Sequence, residues 1–241
     1  MTFAPSWETT ITFQSRQVSE PPAVAGGQSH DKNPTRGEGS ATRDITRTIH
    51  GETYRLNAES FFQANDGLLT QVIDAALANA TGESAVELYC GVGLFTLPLA
   101  RRFKHVVGVE GDGAASAFAR DSLRAAALSN AEIANQDVAR WLEDTIQSAD
   151  KVAALQNPDF LLLDPPRTGA ESRVIAGILK LQPQRISYVS CDPATLARDL
   201  KKLLAGGYQL LYLSAFDMFP QTHHIETVAH LARVSARMAN Y

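Results

Sequence analysis

From residue 85 onward the chain alternates short apolar runs with longer amphipathic stretches, and this alternation constrains the fold more than any other feature. Each apolar run has the length of a strand, and the stretch after it carries apolar residues three and four positions apart, as a helix does. Repeated β-α units of this kind imply a mostly parallel, doubly wound sheet. The predicted strands are 86–89, 105–109, 131–135, 160–163 and 186–189.

Two apolar strands, 208–216 and 226–234, close the chain. Their connection, 217–225, is too short for a crossover helix, so we expect them to pair antiparallel. A closing antiparallel strand distinguishes class I S-adenosylmethionine-dependent methyltransferases from the ordinary dinucleotide-binding fold. We therefore predict an α/β fold of that Rossmann-like class, with a mostly parallel sheet and a final antiparallel strand.

Residues 1–45 differ in composition from the rest. A short strand is predicted at 9–13, and a polar stretch rich in Gly, Ser, Asn and charge follows at 28–43. Such a stretch buries little apolar surface, which favours a flexible linker; the alternative is a segment that folds on RNA. We predict a hairpin around residues 50–52 and assign residues 46–241 to one catalytic domain.

Composition excludes several classes of protein. Cys90 and Cys191 are the two cysteines, too few for a disulfide framework or a metal-ligand cluster. No apolar run approaches membrane-span length, and the N-terminus lacks the pattern of a signal peptide. These features predict a cytoplasmic protein without a membrane partner. The net charge of −4 argues against a strongly basic nucleic-acid surface, although a local basic patch is compatible with it.

Cys191 follows the predicted strand 186–189, and Pro193 begins the next helix. Ligands of open α/β sheets bind outside the carboxyl ends of the strands. A helix N-terminus also stabilises a thiolate, so this position favours a reactive cysteine. The alternative is a small buried hydrophobic residue.

A second group of candidates follows the first three strands. Gly91 and Gly93 lie in the first strand-to-helix turn, where glycine lets the backbone approach a ligand closely. Glu110 ends the second strand, where the two hydroxyls of a ribose need an acceptor pair; the alternative is a solvated loop carboxylate. Together these residues favour an adenosine-containing ligand. Asp137, after the third strand, is then placed to accept from the adenine amino group.

The fourth strand ends at Asp164, and two prolines and Arg167 follow it. Prolines fix φ, so this segment is predicted to form a rigid ledge beside the site, with a Pro-Pro helix start as the alternative. The planar charge of Arg167 suits a phosphate or a base edge. Glu226 opens the last strand, which is expected beside the strand of Cys191, so that thiol and carboxylate converge.

Adjacent histidines at 223 and 224 invite a metal interpretation. Two neighbouring histidines without a third ligand nearby are poor zinc geometry. We predict no metal site.

In this order, the motifs resemble those of the RNA uracil-5 methyltransferase family, which makes 5-methyluridine in tRNA and ribosomal RNA. The resemblance covers about residues 46–241. The last two motifs are the most specific. The matching segments are SFFQAN at 60–65, ELYCGVG at 87–93, LDPPRTG at 163–169, VSCDP at 189–193 and residues 216–228.

The resemblance implies S-adenosylmethionine as cofactor, tRNA or rRNA as partner, and no metal. By the same resemblance, Cys191 is the nucleophile and Glu226 the base. The residues that it places against the cofactor are Gln63, Tyr89, Glu110, Asp137 and Asp164, beside the turn glycines Gly91 and Gly93.

Uracil C5 is a poor nucleophile, and addition of a thiolate to C6 activates it. The C5 proton must then be removed by a positioned base such as a carboxylate. Two other functions stay open: methylation of an exocyclic nitrogen, which needs no covalent adduct, and non-catalytic binding of RNA or cofactor.

The chain departs from the family in two respects. Leu94 stands where many members have asparagine, which predicts a weaker cofactor site. Residues 1–45 are also too short for the usual N-terminal RNA-binding barrel and central domain. RNA selection is therefore expected to come from elsewhere, or the chain is a catalytic core with reduced targeting.

Overall fold

The computed structural model describes residues 10–14, 44–57, 66–148, 155, 157–218 and 225–234, and the architecture below refers to these. The strands are β1 Thr10–Gln14, β2 Ile45–Ile49, β3 Glu52–Leu56, β4 Gly82–Leu88, β5 Phe103–Glu110, β6 Ala131–Asn135, β7 Phe160–Leu163, β8 Arg185–Ser190, β9 Tyr208–Phe216 and β10 Glu226–Arg233. The helices are α1 Asp66–Leu77, α2 Thr96–Ala100, α3 Gly113–Ala125, α4 Val138–Gln147, α5 Ser172–Leu181 and α6 Pro193–Ala205.

Eight strands form one sheet in the order β1-β9-β10-β8-β7-β4-β5-β6. Five strands, β8, β7, β4, β5 and β6, run parallel to one another. Strand β10 pairs antiparallel with both β8 and β9. This arrangement confirms the predicted α/β class with its closing antiparallel strand.

The short strand predicted near the N-terminus is present as β1, and it pairs parallel with β9 at the edge of the sheet. The polar stretch 28–43, predicted as a linker, lies outside the described residues. The division of the chain at residue 45 therefore stays a prediction.

Apolar side chains alternate along the buried strands and supply a core on each face of the sheet. Helices α1, α2 and α3 and the β2–β3 hairpin cover one face. Helices α4, α5 and α6 cover the other. Within the described part of the chain, no helix is both long and apolar enough to cross a membrane.

The hairpin is fixed to the sheet by polar contacts as well as by apolar packing. The fully buried Tyr54 donates its hydroxyl to the carbonyl of Leu94, at 2.9 Å. Arg101 donates from Nε to Glu52 at 2.8 Å, and the Arg55 amide donates to Ser122 at 3.1 Å. The hairpin thereby reaches the turn after β4.

One predicted helix is shorter than its sequence pattern suggests. The pattern favours a helix over 94–103, but α2 covers only Thr96–Ala100. Residues 91–95 are turn, and β5 already begins at Phe103. Tertiary structure overrides local propensity here because the chain turns back at once into the sheet.

Candidate active site

The site lies at the carboxyl ends of the parallel strands, and we call this side of the sheet the carboxyl edge. Glu110 is the last residue of β5, and four further residues come shortly after β4, β6, β7 and β8: Tyr89, Asp137, Asp164 and Cys191 respectively. Because β10 is antiparallel, its first residue, Glu226, lies at the same edge. The structure therefore brings these predicted residues together. Gln63 lies outside the described residues, and its predicted contact with the cofactor stays a prediction.

The turn after β4 has a backbone that most residues avoid. Tyr89, Gly91 and Gly93 have φ values of 64°, 53° and 91°. A positive φ at a tyrosine is uncommon, and such conformations concentrate at ligand sites. A Cβ on Gly93 would lie 3.2 Å from Leu97, whereas one on Gly91 would meet nothing within 4 Å. Gly91 therefore faces open space. We call residues 89–95 the cofactor turn.

Glu110 holds the cofactor turn in place. One of its oxygens accepts from the Gly91 amide at 2.9 Å, and the other accepts from the Asp112 amide at 2.7 Å. An ionised carboxylate has about four acceptor positions, so it retains capacity for ribose hydroxyls. The role of Glu110 towards a ribose stays a prediction, and its backbone contacts show a structural role as well.

Asp137 is the N-cap of α4 and accepts from the Arg140 amide at 3.0 Å. It also lies 3.6 Å from a nitrogen of Arg173. Burial, helped by the negative charges of Glu171 and Asp137, raises the pKa of Tyr89 to about 12. Tyr89 is therefore a neutral phenol, and the charge of Asp137 acts on it. The predicted contact between Asp137 and adenine stays a prediction.

Glu87 begins the ELYCGVG motif, and the sequence predicts no role for it. It is 1% exposed and is the penultimate residue of β4, where one oxygen accepts from the Thr96 hydroxyl. The other oxygen has no hydrogen-bond partner within the described residues. Burial and the negative charge of Asp164 raise the pKa of Glu87 to about 8, against the opposing Thr96 hydrogen bond. A carboxylate within an apolar strand was the available signal.

Strand pairing brings Glu226 and Cys191 to the same end of the sheet. In the antiparallel ladder between β10 and β8, the last pair is Thr227 with Ser190. Glu226 and Cys191 are the residues that come next at this end, and the negative charge of Glu226 acts on the Cys191 thiol. The hydroxyl of Thr227 donates to the Ser190 carbonyl at 2.9 Å and fixes this end of the ladder. Glu226 is 2% exposed and Cys191 is partly exposed.

The thiol of Cys191 does not have the depressed pKa that its place before a helix predicts. Burial and the negative charges of Glu226 and Asp164 raise its pKa, whereas a hydrogen bond from Arg167 opposes the rise. The helix effect fails for a structural reason. The Asp192 carboxylate caps α6 and accepts from the amides of Ala194 and Thr195, both at 2.9 Å. That anion occupies the N–H groups expected to stabilise a thiolate.

Asp164 stands between the cofactor turn and Cys191. Burial and the negative charge of Glu226 raise its pKa well above the ordinary value. The two prolines after it do not begin a helix, since the next helix starts at Ser172. The segment is a loop, as the rigid-ledge prediction expects, and we call residues 164–170 the proline loop.

The edge suits a cationic adenosine derivative. It offers open space at Gly91 and an acidic rim formed by Glu110, Asp137 and Asp164. His223 and His224 lie outside the described residues. Within the described ones, no three His, Cys, Asp or Glu side chains are grouped so that they could hold a metal ion.

Sheet order, antiparallel β10 and the glycine-containing turn together define a class I S-adenosylmethionine-dependent methyltransferase fold. A solved 16S rRNA N2 G1207 methyltransferase from T. thermophilus shares this fold, with a TM-score of 0.56 at 21% identity over 82% of this chain and 52% of that one. The chain belongs to the tRNA (uracil-5-)-methyltransferase family, whose model matches residues 45–234.

Individual relatives agree with that assignment. The 23S rRNA (uracil(1939)-C(5))-methyltransferase RlmD of Edwardsiella ictaluri is 43% identical over 184 residues, covering 75% of this chain and 40% of that protein. The tRNA (uracil-54, C5)-methyltransferase of Pyrococcus abyssi, solved with S-adenosyl-L-homocysteine, is 30% identical with a TM-score of 0.67, covering 78% of this chain and 44% of that one. The chain thus spans about 40% of the length of its first curated relatives.

Proposed function

We propose that this chain carries the catalytic site of an RNA methyltransferase that methylates C5 of a uridine in tRNA or rRNA through a covalent bond between Cys191 and C6. The observation that carries the proposal is the pairing of Thr227 with Ser190, which sets the next residues, Glu226 and Cys191, at the same end of adjacent strands. A thiol and a carboxylate near each other are the two groups that the reaction requires. A protein that modifies tRNA or rRNA is expected in the cytoplasm, which agrees with the location predicted from the sequence.

S-adenosylmethionine fits the acidic edge, since it is an adenosine derivative with a cationic sulfur. The residues proposed to hold it are Tyr89, Gly91, Gly93, Glu110, Asp137, Asp164 and Gln63, the last outside the described part of the chain. When bound, it supplies an electrophilic methyl group. Asp164 lies near Glu226, which with burial raises its pKa. A cation bound beside it would favour its ionised form.

The protein's own groups perform the remaining steps. Cys191 loses its proton to solvent, and its sulfur bonds to C6 while the C5–C6 electron pair moves onto C5 and O4. After C5 is methylated, Glu226 accepts the C5 proton. The electron pair of that C–H bond restores the C5–C6 double bond and expels the Cys191 thiolate. Arg167, whose positive charge lowers the pKa of the thiol, stabilises the anion at the start and the end.

The test uses RNA that contains 5-fluorouridine, in the presence of S-adenosylmethionine. Fluorine at C5 cannot leave as a proton, so the reaction stalls as a covalent protein–RNA adduct. We expect a gel-stable adduct with the wild type and none with Cys191→Ala. Sequencing the trapped RNA identifies the target uridine.

Glu226→Gln supplies an independent arm with ordinary RNA. Without the base, the methylated adduct cannot lose its C5 proton, so adduct is expected to accumulate without fluorine. Methyl transfer that survives in Cys191→Ala would instead support modification of an exocyclic nitrogen. Cofactor binding with no turnover and no adduct on total tRNA and rRNA would support a non-catalytic role.

A further inference from the structure

A buried hydrogen-bonded group, formed by Asp199 and Tyr188, anchors the proline loop. Asp199, on α6, is fully buried. One of its oxygens accepts from the Tyr188 hydroxyl at 2.8 Å and from the Ala170 amide at 2.9 Å. Tyr188, on β8, is also fully buried. The end of the loop is therefore tied at one point to both a strand and a helix.

Arg198 adds a second tie next to the first. Its Nε donates to Asp199 at 2.9 Å, and a terminal nitrogen donates to the Thr168 carbonyl at 3.0 Å. Gly169, between these attachment points, has a φ of 74°. A Cβ there would lie 2.5 Å from Arg198 and 2.7 Å from Asp199. The loop packs so closely on this group that only glycine fits.

The front of the loop reaches Cys191. The Thr195 hydroxyl, in the first turn of α6, donates to the backbone carbonyl of Arg167 at 3.2 Å. This bond holds the Arg167 backbone beside the start of α6, which Cys191 shortly precedes, and the Arg167 guanidinium lowers the pKa of the Cys191 thiol. A single loop therefore connects the buried group to the reacting sulfur.

We propose that Asp199 and Tyr188 are positioning residues, which hold the proline loop on α6 so that the Arg167 guanidinium meets the sulfur of Cys191. Their catalytic meaning rests on the function proposed above. The charged groups that face the thiol are Glu226 from β10, Asp164 from the end of β7, and Arg167 from the loop. Arg167 is the cation among these three, so its position governs how readily the thiolate forms.

The test measures the rate at which iodoacetamide alkylates Cys191 in the full chain as a function of pH, with the modified peptide quantified by mass spectrometry. It needs neither RNA nor cofactor. The variants are Arg167→Gln, Asp199→Asn and Tyr188→Phe. Matched controls are Arg124→Gln and Asp121→Asn, which remove an exposed ion pair on α3.

Arg167→Gln and Asp199→Asn are each expected to raise the apparent pKa of the thiol by roughly half to one unit, which slows alkylation at pH 7 about three- to tenfold. Tyr188→Phe, which deletes one hydroxyl, is expected to move the profile the same way by less. The control variants should keep the wild-type profile. Circular dichroism checks that each variant is folded, and Tyr188→Phe keeps the test decisive if Asp199→Asn unfolds.

A profile that moves with Arg167→Gln but not with folded Asp199→Asn or Tyr188→Phe would show that the buried group serves stability alone. An unchanged profile in Arg167→Gln would remove the premise that Arg167 controls the thiol. Either result is independent of the fluorouridine trap. Failure of the positioning role and failure of the methyltransferase function can therefore be told apart.

Discussion

The two cysteines occupy matching places in the sheet and have different surroundings. Cys90 follows β4 and Cys191 follows β8, so each ends a parallel strand at the ligand-binding edge. Cys90 is buried, whereas Cys191 is partly exposed. Burial raises the pKa of both thiols, and nearby carboxylates add to the effect: Glu87 and Glu110 at Cys90, and Glu226 and Asp164 at Cys191.

The two sites differ in that Cys191 has a nearby cation and is accessible to solvent, whereas Cys90, within the described part of the chain, has neither property. The Arg167 guanidinium opposes the rise of the Cys191 pKa. At Cys90 the opposing contacts are hydrogen bonds from neutral groups, Thr96 and the backbone. Reactive cysteines need electropositive, accessible surroundings. Position at a strand end is therefore insufficient, and the side chains that converge on each sulfur decide its role.

The largest expected difference between the two is in turnover. Cys191→Ala should lower methyl transfer by on the order of 10³-fold or more, because no other group in the mechanism forms the adduct. Cys90→Ala should keep the rate within about threefold and cost roughly 1 kcal/mol of stability through lost packing. Methyl-transfer rates on a target RNA and thermal unfolding measure both. A comparable rate loss in the two variants would abolish the distinction.

The second prediction concerns Glu87, the buried carboxyl group near Cys90. The pKa of Glu87 rises from its ordinary 4.5 to about 8 in the folded state. Between these values the folded protein binds more protons than the unfolded one, so this carboxyl makes stability fall as pH rises. Glu87→Gln removes that term. The variant should therefore gain stability over the wild type by on the order of 4 kcal/mol between pH 4.5 and pH 8.

Urea unfolding at several pH values measures this difference, and Asp144→Asn, an exposed change on α4, is the matched control. A gap between Glu87→Gln and the wild type that stays constant with pH would contradict a buried neutral acid at this position.

The strand positions of both cysteines, and the convergence of Cys191 with Glu226, could be predicted from the sequence. Alternating patterns predicted a mostly parallel sheet, and a connection too short for a helix predicted the antiparallel pairing of the last two strands. The surroundings of each sulfur could not be predicted. That Asp192 takes the helix amides, and that Arg167 points to sulfur rather than to a phosphate or base, depends on loop conformation. No periodic pattern encodes such a conformation.

The role of Cys90 as a packing residue gives a third prediction. Gly108, on β5, leaves room for its sulfur: a Cβ there would lie 2.8 Å from Ile133 and 3.0 Å from Cys90. Gly108→Ala should cost about 1–3 kcal/mol by overpacking. In a Cys90→Ala background the added methyl has more space, so the cost should fall by roughly 1 kcal/mol. Denaturant unfolding of both single variants and the double variant measures the coupling, and strictly additive costs would show that Cys90 is not the limiting contact.

The smallest predicted effect tests whether the cofactor turn and the proline loop are held in place independently. The cofactor turn is held by Tyr54, whose hydroxyl donates to the Leu94 carbonyl at 2.9 Å, whereas the proline loop is held by Asp199. Tyr54→Phe leaves the Leu94 carbonyl without this donor, a loss of about 1 kcal/mol. Since the cofactor turn then moves more freely, S-adenosylhomocysteine should bind roughly fivefold more weakly by calorimetry.

The same substitution should leave alkylation of Cys191 at its wild-type rate, because the proline loop does not depend on the hairpin. Tyr208→Phe is the matched control, since its hydroxyl donates to the Pro183 carbonyl away from both turns. Slower alkylation in Tyr54→Phe would mean that the two strand ends share one support. Unchanged cofactor affinity would mean instead that Glu110 alone, through the Gly91 amide, is enough to hold the turn.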